Sequence, residues 1–174
     1  MTSSMRKILK VGLSAIFAVG IFTSIFKIYY TVGISMEPTI KNGEFILVNK
    51  TNYVPKRFDI VIIYDAGGKD YLEKRLIGLP GDTIEVKEGI IYLNKKKLKD
   101  PFGKGKILIY LVDENDNNLK YWNGPKAGED AVELTNHKEE KIPKGHVWVI
   151  GDNRKESWYG MLLIKNIKGK VLFH

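Results

Sequence analysis

The chain has 174 residues, 44% hydrophobic and 28% charged, enough for one compact domain with a terminal segment but not for two full domains. Its formal net charge of +8 comes from scattered lysines with no recognition motif, so nucleic acid is not expected and attraction to an anionic membrane surface is. The absence of cysteine excludes disulfides, a thiolate nucleophile and zinc–thiolate sites.

Residues 11–26 carry no charge, with Ser14, Thr23 and Ser24 as their only polar side chains. At 1.5 Å per residue this run is about 24 Å long, short of a hydrocarbon core of roughly 30 Å. Residues 8–30 reach about 34 Å if Lys10 and Lys27 snorkel, which places Tyr29 and Tyr30 at an interface. Arg6, Lys7 and Lys10 precede the run. The positive-inside rule then gives a single-pass protein of the cell membrane: a cytoplasmic tail 1–7, an anchor helix 8–30 and an extracytoplasmic domain 31–174. A cleaved signal peptide ending at Thr31-Val32-Gly33 is the rival. It is disfavoured because the apolar run is longer than a usual signal core and Lys27 interrupts the approach to the cut.

Beyond Pro38 the pattern becomes strand-like, and no later stretch holds a 3.6 period over three turns. Residues 44–49, 59–64 and 71–79 read as strands, with Asn42-Gly43, Gly67-Gly68 and Pro80-Gly81 as turns. Residues 83–87 and 90–93 form a hairpin around Glu88-Gly89. Residues 94–106 read as a solvated basic excursion and 107–112 as a strand. Residues 113–141 are a polar stretch with one strand-like piece at 131–134, so 94–141 is expected to be an insertion. Residues 113–118 alternate oxygen ligands like the start of a calcium loop. The sixth position is Asn118 where glycine is needed and the twelfth is Gly124 where glutamate belongs, so that reading is rejected. His146 to Ile150 and part of 169–173 complete a mainly β body.

Gly33-Ile34-Ser35-Met36-Glu37-Pro38-Thr39 follows the anchor directly, and Pro38 rules out a continuing helix. Five residues from Tyr30, Ser35 lies within about 17 Å of it and so close to the outer membrane face. Ser35 is either a linker serine or a nucleophile, and a nucleophile requires a base. His137 lies in the polar stretch and His174 is terminal, while His146 with Asp152 would complete a Ser-His-Asp set. A half-buried strand-edge residue is the ordinary reading of His146. A lysine base must be desolvated, since a pKa of about 10.4 leaves well under 1% neutral at pH 7. Lys74 alternates with Leu72 and Leu76 on one strand face, with Glu73 and Arg75 on the other. It is either such a base or an edge-strand lysine that blunts aggregation.

Together these residues resemble the type I signal peptidases, the membrane-anchored Ser/Lys endopeptidases of peptidase family S26, in a Gram-positive-like form. After a single anchor, residues 33–39 resemble the nucleophile motif. Phe58-Asp59-Ile60-Val61 resembles the next box, with Phe58 where glycine is usual. Lys74-Arg75-Leu76-Ile77-Gly78-Leu79-Pro80-Gly81-Asp82 resembles the general-base motif, and Pro143-Lys144-Gly145-His146 leading into Gly151-Asp152-Asn153-Arg154 resembles the last box. The resemblance spans the anchor, 33–93 and 143–157. It implies a compact β-rich catalytic domain with Ser35 as nucleophile and Lys74 as neutral general base. By the same resemblance the Ser35 N–H is expected to form part of the oxyanion hole. Gly33 stands where some members add a serine hydroxyl, and one such donor is worth on the order of 2.7 to 4 kcal/mol elsewhere. Ser157 is placed to bond the lysine, and Arg75 and Asp152 are placed to pair and brace the site. It further implies no cofactor and no metal, exported preproteins with small residues one and three before the cut as partners, and a monomer in the phospholipid membrane.

The departure is in the last box. Tyr159 replaces an acid and Met161 an arginine, so a supporting ion pair is missing. Losing both partners can be nearly neutral whereas losing one strands a charge, so a repacked site is expected. Three other readings stay open. They are a catalytically weak or inactive homologue holding peptides as an accessory factor in secretion or pilus assembly, a serine hydrolase using His146, and a tethered β-domain without chemistry.

Overall fold

The computed structural model describes residues 3–51, 53–64, 71–107, 109–110, 133–134 and 136–173. The Gly67-Gly68 turn, the calcium-like 113–118 and His174 lie outside them.

One helix, α1 (Ser3–Ile25), opens the chain, and none of its side chains is buried. Its 23 residues reach about 34 Å, enough to cross a bilayer core. The helix starts and stops five residues earlier than the expected anchor 8–30. Phe26–Tyr30 is instead a strand, β1, in unbroken antiparallel register with β2 (Phe45–Asn49), from Phe26↔Asn49 to Tyr30↔Phe45. Aromatic and β-branched side chains favour that state once a partner strand exists. Lys50 closes the helix end: its N–H donates to Ile25 O and its Nζ to Thr23 O, both at 2.8 Å. Lys27 does not snorkel from a helix. Its Nζ sits 4.5 Å from the Tyr29 ring centroid and 5.0 Å from that of Tyr71. The chain from Ile25 to Ser35 can span at most about 35 Å, a looser tether than the sequence suggests.

The remaining strands are β3 (Ile60–Tyr64), β4 (Tyr71–Gly78), β5 (Thr83–Lys87), β6 (Ile90–Leu93), β7 (Lys96–Lys97), β8 (Ile109–Tyr110), β9 (Glu133–Leu134), β10 (His137–Lys141), β11 (His146–Ile150), β12 (Tyr159–Leu163) and β13 (Ile167–Phe173). The larger sheet runs β1-β2-β13-β3-β4-β11-β12, the smaller β10-β5-β6-β7, and β8 pairs with β9. Each of these pairings is antiparallel.

The central strands β3 and β4 are buried on both faces, which is why β3 reads as a continuous apolar run. On one face Ile46, Val48, Ile60 and Ile62 pack under Met36 and Ile40 of the segment that carries Ser35. On the other, Val61, Ile63, Leu76 and Val149 pack with the partly buried Leu72 and Trp158. A third cluster joins the two sheets through Ile84, Val86, Ile91, Trp148 and Tyr159.

The expected insertion 94–141 is narrower than its sequence suggests. Lys96–Lys97 extends the smaller sheet, and His137–Lys141 is its edge strand, paired with β5. Four of the five residues of β10 are polar and exposed, as an edge position permits, so no apolar alternation marks it. Residues 100–104 also fold back onto the last box, with Lys104 N–H donating to Asp152 O at 2.8 Å and Arg154 N–H to Lys104 O at 3.0 Å.

Candidate active site

Lys74 lies in the middle of β4, opposite Val61 of β3, on a strand flanked on both sides. The edge-strand reading is therefore excluded. Alternation sends it to the face of Leu72 and Leu76, as the spacing predicts, and it is 1% exposed. Its Nζ lies 2.9 Å from Ser35 Oγ and 5.5 Å from the Trp158 ring centroid. Burial lowers the Lys74 pKa from 10.5 to about 8, against the opposing pull of the Glu73 and Asp152 charges. A substantial neutral fraction near pH 8 is what a lysine base requires.

Ser35 sits in a turn between Gly33, at φ +112°, and the buried Met36. The Gly33 N–H donates to Asn42 Oδ1 at 2.9 Å, fixing this turn to the Asn42-Gly43 turn that precedes β2. Ser35 is partly exposed above a buried amine, so a substrate can reach Oγ while the lysine stays dry. Among the described residues its N–H has no acceptor, leaving it available to a developing oxyanion.

Arg75 points to the opposite face and is 3% exposed. Its Nε and NH2 donate to Asp152 Oδ1 and Oδ2 at 2.8 and 2.5 Å, and its NH1 donates to Phe58 O at 2.7 Å. The expected Arg75–Asp152 pairing is present as a bidentate bridge in the interior. Asp152 Oδ2 also accepts from Thr39 Oγ1 at 2.6 Å, which ties the far end of the Ser35 segment to the brace. Phe58 holds φ +69°, a left-handed conformation that glycine adopts more readily than a residue with a Cβ.

Ser157 is buried, accepts from the Gly151 N–H at 2.8 Å and donates to Trp158 O at 3.0 Å. A Cβ on Gly151 would lie 2.2 Å from Ser157 Oγ and 2.3 Å from Ser35 O. Only glycine lets the last box come this close to the nucleophile's backbone. His146 turns its Nδ1 toward Lys144 O at 3.3 Å, and Asp152 is committed to Arg75 and Thr39. The Ser35–His146–Asp152 set is therefore not assembled.

Tyr159 and Met161, the departures in the last box, face the cluster between the sheets. Tyr159 stacks at 5.0 Å on Trp148 and meets His137 edge-on at 5.7 Å, and Met161 packs beside them. Tyr159 and Met161 both pack in this cluster and neither carries a charge, so no unpaired charge is buried at these two positions.

Asp100 and Phe102 carried no mark in the sequence, and Thr39, Asn153 and Arg154 lay within motifs without a role of their own. Asp100 pairs with Arg154, and Phe102 lays its ring 3.8 Å from the Arg75 guanidinium carbon, roofing the buried bridge. Asn153 reaches the Ser35 segment from the last box. Thr39, closing the nucleophile motif, and Asn153 and Arg154, inside the last box, are the ones that motif reading could have flagged.

Residues 4–174 match the family described as "Signal peptidase, peptidase S26". The chain is 36% identical to the "Signal peptidase I" of Bacillus caldolyticus over 156 residues, covering 86% of this chain and 79% of that one. It is 34% identical to the "Signal peptidase I V" of Bacillus subtilis, covering 91% and 90%. It is 35% identical to the "Signal peptidase IB" of Staphylococcus aureus, covering 83% and 75%. A signal peptidase I crystal structure from Enterococcus faecalis is 28% identical over 70% of this chain, with a TM-score of 0.42, too low for the superposition to bear on the fold. By the family match and these identities, the chain belongs to the signal peptidase family, peptidase S26.

Proposed function

We propose that Ser35 and Lys74 are the nucleophile and general base with which this type I signal peptidase cuts preproteins. The carrying observation is the 2.9 Å approach of Lys74 Nζ to Ser35 Oγ with the lysine buried and its pKa lowered to about 8. Neutral Lys74 takes the Ser35 proton as Oγ attacks the scissile carbonyl carbon, and the Ser35 N–H bonds the resulting oxyanion. The lysine ammonium then protonates the departing amine, leaving an ester on Ser35. Lys74 next deprotonates a water that attacks the ester, and the proton returns to Ser35 Oγ as the acid leaves.

The chain is a serine endopeptidase of its family, and the proposal extends to its surroundings. Arg75 and Asp152 brace the Ser35 segment through Thr39, and Ser157 supports the lysine from the last box. Substrates carry small residues one and three before the cut. Arg6, Lys7 and Lys10, in the first turns of α1, support an N-terminus in the cytoplasm and the β domain outside. Exposed Ile28, Tyr30, Val32 and Phe45, on the strands and turn next to the anchor, support work at the membrane face. The accessory-factor reading is not favoured, because both dyad residues are kept and the altered box is packed without a buried charge.

The test is cleavage of a preprotein carrying an Ala-x-Ala site by the full chain in detergent, with Ser35→Ala and Lys74→Ala alongside. Cutting after the second alanine by wild type alone is expected. Equal silence of all three with retained peptide binding would favour the accessory factor.

A further inference from the structure

The oxyanion donor is a backbone N–H, and a backbone N–H can be aimed only by fixing its peptide plane. In the trans peptide between Ile34 and Ser35 the carbonyl and the N–H point in opposite directions, so whatever holds the Ile34 carbonyl also sets the Ser35 N–H. Two donors hold it. The Glu37 N–H bonds Ile34 O at 3.1 Å within the turn, and Asn153 Nδ2 bonds the same oxygen at 3.2 Å from the last box. These two bonds occupy both lone pairs of the carbonyl. Asn153 also grips the next carbonyl, its own N–H donating to Ser35 O at 3.0 Å. One residue thus bonds consecutive carbonyls on either side of the nucleophile. The peptide between those carbonyls carries the N–H that has no acceptor among the described residues.

Asn153 is itself held firmly. It forms a parallel bridge with Lys104, its carbonyl accepts from the Glu156 N–H at 3.1 Å, and the flanking Asp100–Arg154 pair fastens residues 100–104 to the last box. The side chain must be an amide here. Ile34 O is an acceptor only, so the atom facing it must donate, and an aspartate would set a carboxylate oxygen against it.

We propose that Asn153 is a positioning residue that aims the Ser35 N–H at the oxyanion, so that its side chain acts in the transition state and not in substrate binding. This rests on Ser35 being the nucleophile.

The experiment compares wild type, Asn153→Ala and the near-isosteric Asn153→Asp, as full chains in detergent, on an Ala-x-Ala preprotein. It reads kcat, KM, the pH midpoint of kcat/KM, and inhibition by a peptide aldehyde, whose adduct with Ser35 places an oxygen in the hole. Loss of a whole oxyanion donor costs about 100- to 1000-fold in kcat. Misaiming one is expected to cost about 10- to 100-fold for Asn153→Ala and more for Asn153→Asp. The aldehyde's inhibition constant should rise by the same factor in both variants while KM stays put, and the pH midpoint should stay put in Asn153→Ala, which adds no charge. A kcat within about twofold of wild type, a fallen kcat with unchanged aldehyde affinity, or a displaced pH midpoint in Asn153→Ala overturns the inference. If Asn153→Ala does not fold, Asn153→Asp carries the kcat, KM and aldehyde readings. A silent wild type would overturn the Ser/Lys reading itself, whereas an active wild type beside unaffected variants overturns the role of Asn153 alone.

Discussion

Lys74 and Arg75 are neighbours on β4, equally buried, and the two faces of the strand treat them in opposite ways. Arg75 meets a carboxylate in bidentate geometry, a backbone carbonyl and an aromatic roof. Lys74 meets leucines, a tryptophan ring and a serine hydroxyl, with its charged neighbours bonded elsewhere or set on the other face. Full pairing satisfies a buried guanidinium and makes it a brace. Withheld pairing loosens the proton of a buried ammonium and suits it to act as a base. A strand buried on both faces allows both environments one residue apart.

The sharpest break of this comparison is removal of the dyad. Ser35→Ala or Lys74→Ala is expected to lower kcat by about 10⁴-fold or more, since residues acting as one unit fail together. Mass-spectrometric detection of the cut preprotein measures it. Lys74→Arg should not restore activity, because a guanidinium cannot become neutral.

Next in size is the brace. Arg75→Met leaves Asp152 buried without its cation and should destabilise the domain by about 3 to 5 kcal/mol in denaturant unfolding. Arg75→Met with Asp152→Leu should cost less than the sum of the single changes. Strict additivity would mean that the pair is not a unit.

Lys74 contributes in the reverse direction. Its folded pKa of about 8 lies below the usual 10.5, so the unfolded chain binds the proton more tightly between those values. Stability therefore rises with pH across that window and is depressed below pH 8 by roughly 3 kcal/mol. Lys74→Met should raise the midpoint of unfolding at pH 7, and the gain should vanish as pH climbs from 8 to 10.5. A pH-independent gain would point to better packing and not to a released proton.

The smallest effect belongs to the altered last box. Met161→Leu is expected to cost under about 1.5 kcal/mol and to leave cleavage unchanged, because Met161 now fills space beside Trp148 and Tyr159. A large loss of kcat would give Met161 a role in the site that packing does not explain.

The approach of Lys74 to Ser35 was legible because its signals are written locally. Ser35 sits in a motif closed by Pro38, and period-two alternation put Lys74 on an inward face. The strands with apolar alternation or runs, β2 to β6 and β11, were legible for the same reason. What the sequence hid is what only a distant partner creates. Residues 26–30 continue an apolar run, and only pairing with β2 turns them from anchor to strand. The strand β10 is charged along its length and held by β5, and β12 is interrupted by Gly160 and held by β11. The Asp100–Arg154 pair and the Phe102 roof join segments that no spacing rule connects, so the excursion 94–106 looked merely solvated.

The central claim is that one buried, unpaired lysine supplies the base, and the pH dependence of kcat/KM for preprotein cleavage tests it most directly. A rising limb with its midpoint at about 8, absent in Lys74→Ala, is the predicted result. A midpoint near the ordinary histidine value of about 6.5, or a Lys74→Ala variant that keeps the wild-type profile, would contradict it.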